Sequence, residues 1–247
     1  MKNVIKKIIF PITILLVWQL YYEIWGIKNS LLPSPVEIFK AAWELGFSSE
    51  IYIDILNSLQ RVFIGFSLAS FFGVAVGLIL GNYKKVGEYI LPLLEMLRPI
   101  PPIAWIPIAI LLFGLGNTSA YFIIFLGVFF PIFSNTYFGA SNMPRVYKNA
   151  SASFELSRFV YFREVLFKFS LPYIFAGLKI GIGMAWICVI AAEMIGAQSG
   201  LGYFIQINRL YLRTDYMAVG MILIGLIGYF LNLSISALEK RIIKWQV

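Results

Sequence analysis

Three observations predict an all-α integral membrane protein. Only 13% of the 247 residues are charged while 60% are apolar, against about 25% charged in an ordinary soluble domain. Mean hydropathy is +0.82. The apolar residues gather into stretches of about 20, the length an α-helix needs to cross the hydrocarbon layer. Six spans follow, at about residues 8–25, 59–80, 95–115, 119–138, 174–195 and 216–238. Together they occupy the chain as one transmembrane domain, residues 1–247.

The first span follows Lys2, Lys6 and Lys7. That start resembles a signal peptide, but the apolar run is too long, is rich in Trp and Tyr, and lacks a small-x-small cleavage site. A retained helix is expected. Between the first two spans, Ser34-Pro35-Val36-Glu37 reads as a capping box with proline at the first helical position. A short amphipathic helix through Leu45 should follow, lying at the membrane surface with Trp43 at the interface. The second span carries Gly65, Gly73, Gly77 and Gly81, with Gly73 and Gly77 in GxxxG spacing. Such a face lets helices approach closely, within one subunit or between two.

The third span takes in part of the stretch Leu91–Pro102, which is broken by Pro92, Pro99, Pro101 and Pro102. Proline removes amide donors and bends helices, which lipid tolerates only where protein or a cavity satisfies the freed carbonyls. This segment either faces a pathway or is a shielded kink. Between the fourth and fifth spans lies a polar island, residues 140–168, with Arg145, Lys148, Arg158, Arg163 and Lys168. Within it Ala150, Phe154, Phe162 and Leu166 recur at helical spacing. A loop with that periodicity is expected to dock another protein.

Orientation follows from the basic residues. Thirteen of them, at both termini, at residues 84–85 and in the island, fall on one side; four (Lys28, Lys40, Arg209 and Arg213) fall on the other. The positive-inside rule places both termini and the island in the cytoplasm. Topology thereby accounts for the net charge of +8, and no nucleic-acid partner is implied. The absence of His removes the commonest zinc ligand and general base. Cys188 alone can form neither an internal disulfide nor a thiolate metal site, and reads as a small buried apolar residue. The glycines Gly196, Gly200 and Gly202 follow no strand and lack the lysine of a phosphate-binding loop. No catalytic or metal site is expected.

Two charged residues stand out near the spans. Glu193 lies at the outer end of the fifth span; a carboxylate at that depth faces a cavity or a partner. It is either a buried structural acceptor or part of a pathway or gate. Arg98, beside Pro99, either snorkels to the interface or lines the pathway together with Pro99 and Pro101.

Three blocks of residues, nearly spanning the chain, carry a family resemblance. The first is Leu31-Leu32-Pro33-Ser34-Pro35. The second is Leu97-Arg98-Pro99-Ile100-Pro101-Pro102, leading to Pro107 and Phe113-Gly114-Leu115-Gly116. The third runs through Leu171-Pro172-Tyr173-Ile174, Gly177-Leu178-Lys179 and Ala191-Ala192-Glu193-Met194-Ile195-Gly196 to Ser199-Gly200-Leu201-Gly202-Tyr203. The chain is similar to the permease subunit of type I ATP-binding-cassette importers, the inner-membrane component of binding-protein-dependent transport, in the nitrate/sulfonate/taurine group. That resemblance implies a six-helix permease fold with a cytoplasmic coupling helix in the loop 140–172. It implies a bacterial cytoplasmic-membrane location and a second permease copy, most simply a homodimer. Two ATPase subunits, which bind ATP and Mg so that this chain carries no cofactor, and an extracytoplasmic substrate-binding protein complete the set.

In the family, the loop before the fifth span carries a Glu-Ala-Ala, three residues, Gly motif that seats in the ATPase. Asn149, Ala150 and Ser151 fall on the first three positions, and Glu155 falls on the glycine. Ser153 and Phe154 precede it, and Leu156 and Ser157 follow. Lys168 stands where proline is common, while Pro172 keeps the second proline. With Glu155 at the glycine position, the helix either continues or makes a modified ATPase contact.

An ion-coupled carrier acting alone would call for inverted repeats and several intramembrane carboxylates. No repeat is evident, and Glu193 is the main candidate carboxylate. A membrane-embedded enzyme lacks both His and clustered acids. The resemblance implies a small solute such as nitrate, a sulfonate, taurine or a vitamin precursor, with selectivity set mostly by the binding protein.

Overall fold

A computed structural model describes residues 2–24 and 32–244. The end of the first expected span at Trp25, the basic residue Lys28, the opening Leu31 of the first block, and the side chains of Lys2, Lys6 and Lys7 lie outside the described residues. Among the described residues eleven α-helices run in order: α1 (Lys2–Ile24), α2 (Pro35–Gly46), α3 (Ser49–Asn82), α4 (Lys84–Leu97), α5 (Ile106–Phe113), α6 (Asn117–Ser141), α7 (Arg145–Ser153), α8 (Arg158–Val160), α9 (Phe167–Gly196), α10 (Leu201–Leu210) and α11 (Thr214–Ile242). No strand occurs among the described residues. A π-helical segment, Tyr161–Leu166, joins α8 to α9, so that Arg158–Gly196 is one helix of 39 residues.

Among the described residues four helices are long and apolar enough to cross a membrane: Ser49–Asn82, Asn117–Ser141, Arg158–Gly196 and Thr214–Ile242. The fifth candidate is a broken pair. The segment expected as one span over 95–115 is α4 and the stretch Pro102–Phe113, bent by 83°. The cause is local. Pro99, Pro101 and Pro102 cannot donate to a helical ladder, and a residue before proline is pushed toward extended backbone; Pro101, preceding Pro102, has ψ 134°. The apolar part of α1, Ile12–Ile24, is shorter.

The core is a layer of three helices, α3, α6 and α9, packed through small residues. A Cβ on Gly65, Gly77 or Gly81 would come within 2.6 Å of Ile124, 2.7 Å of Thr136 and 2.5 Å of Ala140 respectively, all on α6. The glycine face of α3 is therefore spent inside the subunit, on α6. Lipid tails compete for apolar contact as well as leucine does, so van der Waals approach of backbones carries much of this packing. On α6's other flank, Gly177 and Gly181 of α9 lie against Ile132. Along α6 itself, Phe125, Phe129 and Phe133 stack with centroids 5.6 and 5.7 Å apart. Cys188 is buried in this core as a free thiol.

At one end of the bundle, α2 forms as its sequence dictates. Ser34 Oγ accepts from Glu37 N at 3.2 Å, and Glu37 Oε2 accepts from Ser34 N at 2.7 Å. That backbone donor, with the Tyr22 hydroxyl on Oε1 (3.1 Å), holds the Glu37 carboxyl below its ordinary range. Ile38, Ala41 and Leu45 turn inward, while Trp43 stays exposed. Helix α3 starts at Ser49, well before the expected boundary of 59, because Ser48 caps it through Glu50 N (3.3 Å).

Replacing Gly77 by Ile forces a branched side chain into the α3–α6 contact. The expected cost is about 1–3 kcal/mol, read as a lower thermal unfolding midpoint and lower monodisperse yield in detergent. Gly225→Ala, at an α11 position with nothing within 4 Å, should leave both unchanged or slightly improved.

Candidate functional site

Functional groups collect in three places along the bundle. The first is its α7 end. Helix α7 is short and polar, and buries little beyond Ser151. Asn149, Ala150, Ser153, Phe154, Glu155, Leu156 and Ser157 form one continuous exposed surface. Val146 and Phe154 present large apolar side chains there, at 73% and 78% exposure. Within the helix, Ser151 Oγ donates to Lys148 O and Ser153 Oγ to Asn149 O, at 2.7 and 3.1 Å.

The helix closes on a Schellman turn, which is where Glu155 matters. Leu156 N donates to Ser151 O at 3.1 Å and Glu155 N to Ala152 O at 3.0 Å. That pair of hydrogen bonds requires the first residue past the helix cap in the left-handed region, and Glu155 has φ 50°. So the helix does not continue through Glu155; a glutamate adopts the conformation usually left to glycine, at about 1–2 kcal/mol. Ser157 then caps the next helix through Val160 N (3.4 Å). Residues 158–172, expected as part of a loop, are helical. Tyr161 ties this junction to α3 by donating to Asn82 Oδ1 at 3.0 Å, and Leu166 is buried with Leu78, Ala140 and Met143. Glu164 pairs with Lys168 one turn on.

The second place is the proline break. Arg98 ends α4, and Pro99 and Pro101 form the corner. A cleft of about 250 Å³ lies beneath it, lined by Arg98, Pro102, Gly127, Ser134, Asn135 and Met184, among others.

The third lies at the opposite end of α9. Glu193 is 1% exposed and receives Arg61 Nη1 at 2.8 Å, Ser58 Oγ at 2.8 Å and Gly202 N at 2.9 Å. Arg61, 4% exposed, also donates to Asn117 Oδ1 (2.8 Å), Ser199 O (2.7 Å) and Ser199 Oγ (2.8 Å). Gly200 N reaches Asp54 Oδ1 at 2.6 Å, and Leu201 N reaches Ser58 Oγ at 2.9 Å. The loop between α9 and α10 is thus clamped onto α3. Glycine is required at its centre: Gly200 has φ 106°, and a Cβ there would collide with the Glu193 carboxylate.

The structure therefore gathers the α7-end residues into one surface, places Arg98, Pro99 and Pro101 at one corner, and sets Glu193 apart as a buried acceptor of several donors. The sequence reading did not single out Arg61, Ser58 or Asp54, and named Ser199 only within the third block. The available signal was a matched pair of intramembrane charges, Arg61 and Glu193, since each needs a partner. Among the described residues no group of His, Cys, Asp and Glu could hold a metal ion.

Glu155→Gly should remove the left-handed strain, offset in part by the freer unfolded chain, for a net gain below about 1 kcal/mol. A small rise in unfolding midpoint checks it. Glu193→Ala should cost about 3–5 kcal/mol by stranding a buried guanidinium. Replacing Arg61 and Glu193 together by Met should cost less than the sum of the single replacements, a double-mutant cycle readable by thermal unfolding.

Comparisons with known proteins agree with this architecture. The family described as "Binding-protein-dependent transport system inner membrane component" matches residues 69–245. The nitrate import permease protein NrtB of Synechocystis sp. is 35% identical over 98% of this chain and 90% of its own length. A putative ABC transporter permease protein of Methanocaldococcus jannaschii is 36% identical over 99% and 93%. The putative aliphatic sulfonates transport permease protein SsuC of Bacillus subtilis is 30% identical over 98% and 87%. Among solved structures, inward-facing MetNI methionine ABC transporter superposes with a TM-score of 0.65 at 18% identity, over 75% of this chain and 93% of that one. At that identity the likeness establishes the fold.

Proposed function

Because this chain belongs to the family of binding-protein-dependent transport system inner membrane components, we propose that it is the permease subunit of an ATP-driven importer. It is a transport protein rather than an enzyme, with the ATP and Mg held by a separate ATPase. Two copies, most simply a homodimer in the lipid bilayer of the bacterial cytoplasmic membrane, would meet two ATPase subunits inside and a substrate-binding protein outside. The excess of basic residues toward α7 supports this orientation, with both termini cytoplasmic. The relatives carry names for nitrate and aliphatic sulfonates, which supports a small solute of that kind ahead of a vitamin precursor.

One observation carries the reading. Helix α7 holds apolar side chains out of the bundle, and its Schellman turn feeds directly into the continuous helix Arg158–Gly196. At 1.5 Å per residue that helix is about 60 Å long. It runs from the exposed surface to the buried pair Arg61–Glu193. Force applied at α7 is delivered along it to the outer clamp, which holds the α9–α10 loop to α3. In this scheme Glu193 acts as a positioning residue of the outer gate, while Arg98, Pro99 and Pro101 shape the pathway at the break. ATP-driven closure of the ATPases shifts the bundle only if their contacts with α7 differ between its two states.

Ala150→Arg places a long cation at the centre of the docking surface. Loss of ATPase co-purification and at least a tenfold fall in ATP-driven uptake are expected, with the membrane-embedded fold retained by size-exclusion chromatography. Wild-type uptake in that variant would overturn the docking role, and ATP-independent flux through liposomes containing this chain alone would favour a carrier that needs no ATPase.

A further inference from the structure

Arg98 differs from Arg61 in a way that points to a ligand. Arg61 has four hydrogen bonds, one of them to a carboxylate. Arg98 makes no ion pair among the described residues, although Glu95 stands one turn earlier on the same helix. Yet its cleft is lined from α6 by Gly127, near that helix's middle, and by Ser134 and Asn135 two turns further on, and from α9 by Ile180 and Met184, in its apolar stretch. The cleft thus lies within the spans of α6 and α9, and Arg98, exposed on the single chain, holds its guanidinium at the cleft's mouth, where in a membrane it needs water or an anion. No carboxylate lines the cleft.

The other polar groups suit an anion and its water. Ser134 is half-buried, lines the cleft, and its hydroxyl has no protein partner among the described residues. The Asn135 amide is already committed to Pro131 O at 2.8 Å. Pro131 cannot donate to the Gly127 carbonyl, so that oxygen lacks its helical donor. At about 30 Å³ per water, some 250 Å³ accommodates a small oxyanion with part of its hydration shell.

We propose that each copy of the chain carries its own small-oxyanion subsite, made by Arg98 and Ser134 in the cleft between the proline break and helices α6 and α9. This rests on the permease reading, and refines it: a dimer has two such stations, one per protomer, instead of a single shared one on its axis. A guanidinium presents a fork of donors that matches the planar edge of a nitrate or sulfonate group. Ser134 supplies a further donor from the opposite wall.

The test is thermal unfolding of the purified full-length chain in detergent, titrated with sodium nitrate or sodium methanesulfonate against sodium chloride at equal ionic strength. The wild type should gain a saturable rise in midpoint from at least one oxyanion beyond that from chloride. R98Q should lose it, R98K should keep part of it, and S134A should raise the half-saturating concentration about tenfold. An undiminished rise in R98Q, no effect of S134A, a chloride response equal to the oxyanions', or a wild type indifferent to both would each overturn the subsite. Because S134A changes only one hydroxyl, it keeps the test decisive if R98Q fails to fold. ATPase co-purification with the wild type is scored separately: its failure would remove the permease reading without touching the anion result.

Discussion

The buried pair of Arg61 and Glu193 is the interaction on which the rest of this structure depends. Two opposite charges leave water together at the end of the longest helix. Ser58, Asn117, Ser199 and Gly202 supply or accept the remaining hydrogen bonds. Removing two charges from water gains little stability by itself, and often none. What the pair fixes is geometry: it sets the registry of α3 against α9 and seats the intervening loop. A bundle of smooth apolar helices in lipid has few other ways to define which residue faces which.

The second constraint is close packing through glycine. The α3 face against α6, and the α9 face against Ile132, bring three helices near enough that an added Cβ would collide. Packed cores have discrete arrangements and resist continuous deformation. A displacement imposed at α7 is therefore carried along α9, in the mechanism proposed, and not absorbed locally. The π-helical segment Tyr161–Leu166 sits where such a displacement would enter. The proline corner at residues 98–102, by contrast, lacks the ladder that stiffens its neighbours.

Much of this was legible in the sequence wherever the signal was local. The Ser34–Glu37 capping box marks the start of α2 to the residue, and the apolar runs mark α3, α6, α9 and α11. The prolines mark the corner, though not its 83° bend. Nonlocal matters were not legible. The glycine stripe of α3 shows that something approaches closely, but not that α6 does. Arg61 and Glu193 are 132 residues apart, and nothing near either one names the other. Helix 158–172 read as loop because Arg158, Arg163 and Lys168 interrupt its apolar face, although Phe162 and Leu166 keep helical spacing. The turn at Glu155 was hidden for the opposite reason: the backbone takes a glycine's conformation with a side chain that argues against it.

The central claim is that a partner's force at α7 reaches the far end of the bundle through a rigid helix. Distances between spin labels on Gln198→Cys in two copies, with Cys188 replaced by Ala, test it most directly. The copy-to-copy distance should change on ATP binding in the complex with the ATPase, and remain fixed for the chain alone. An unchanged distance in the complex, or an equal change without the ATPase, would contradict the account.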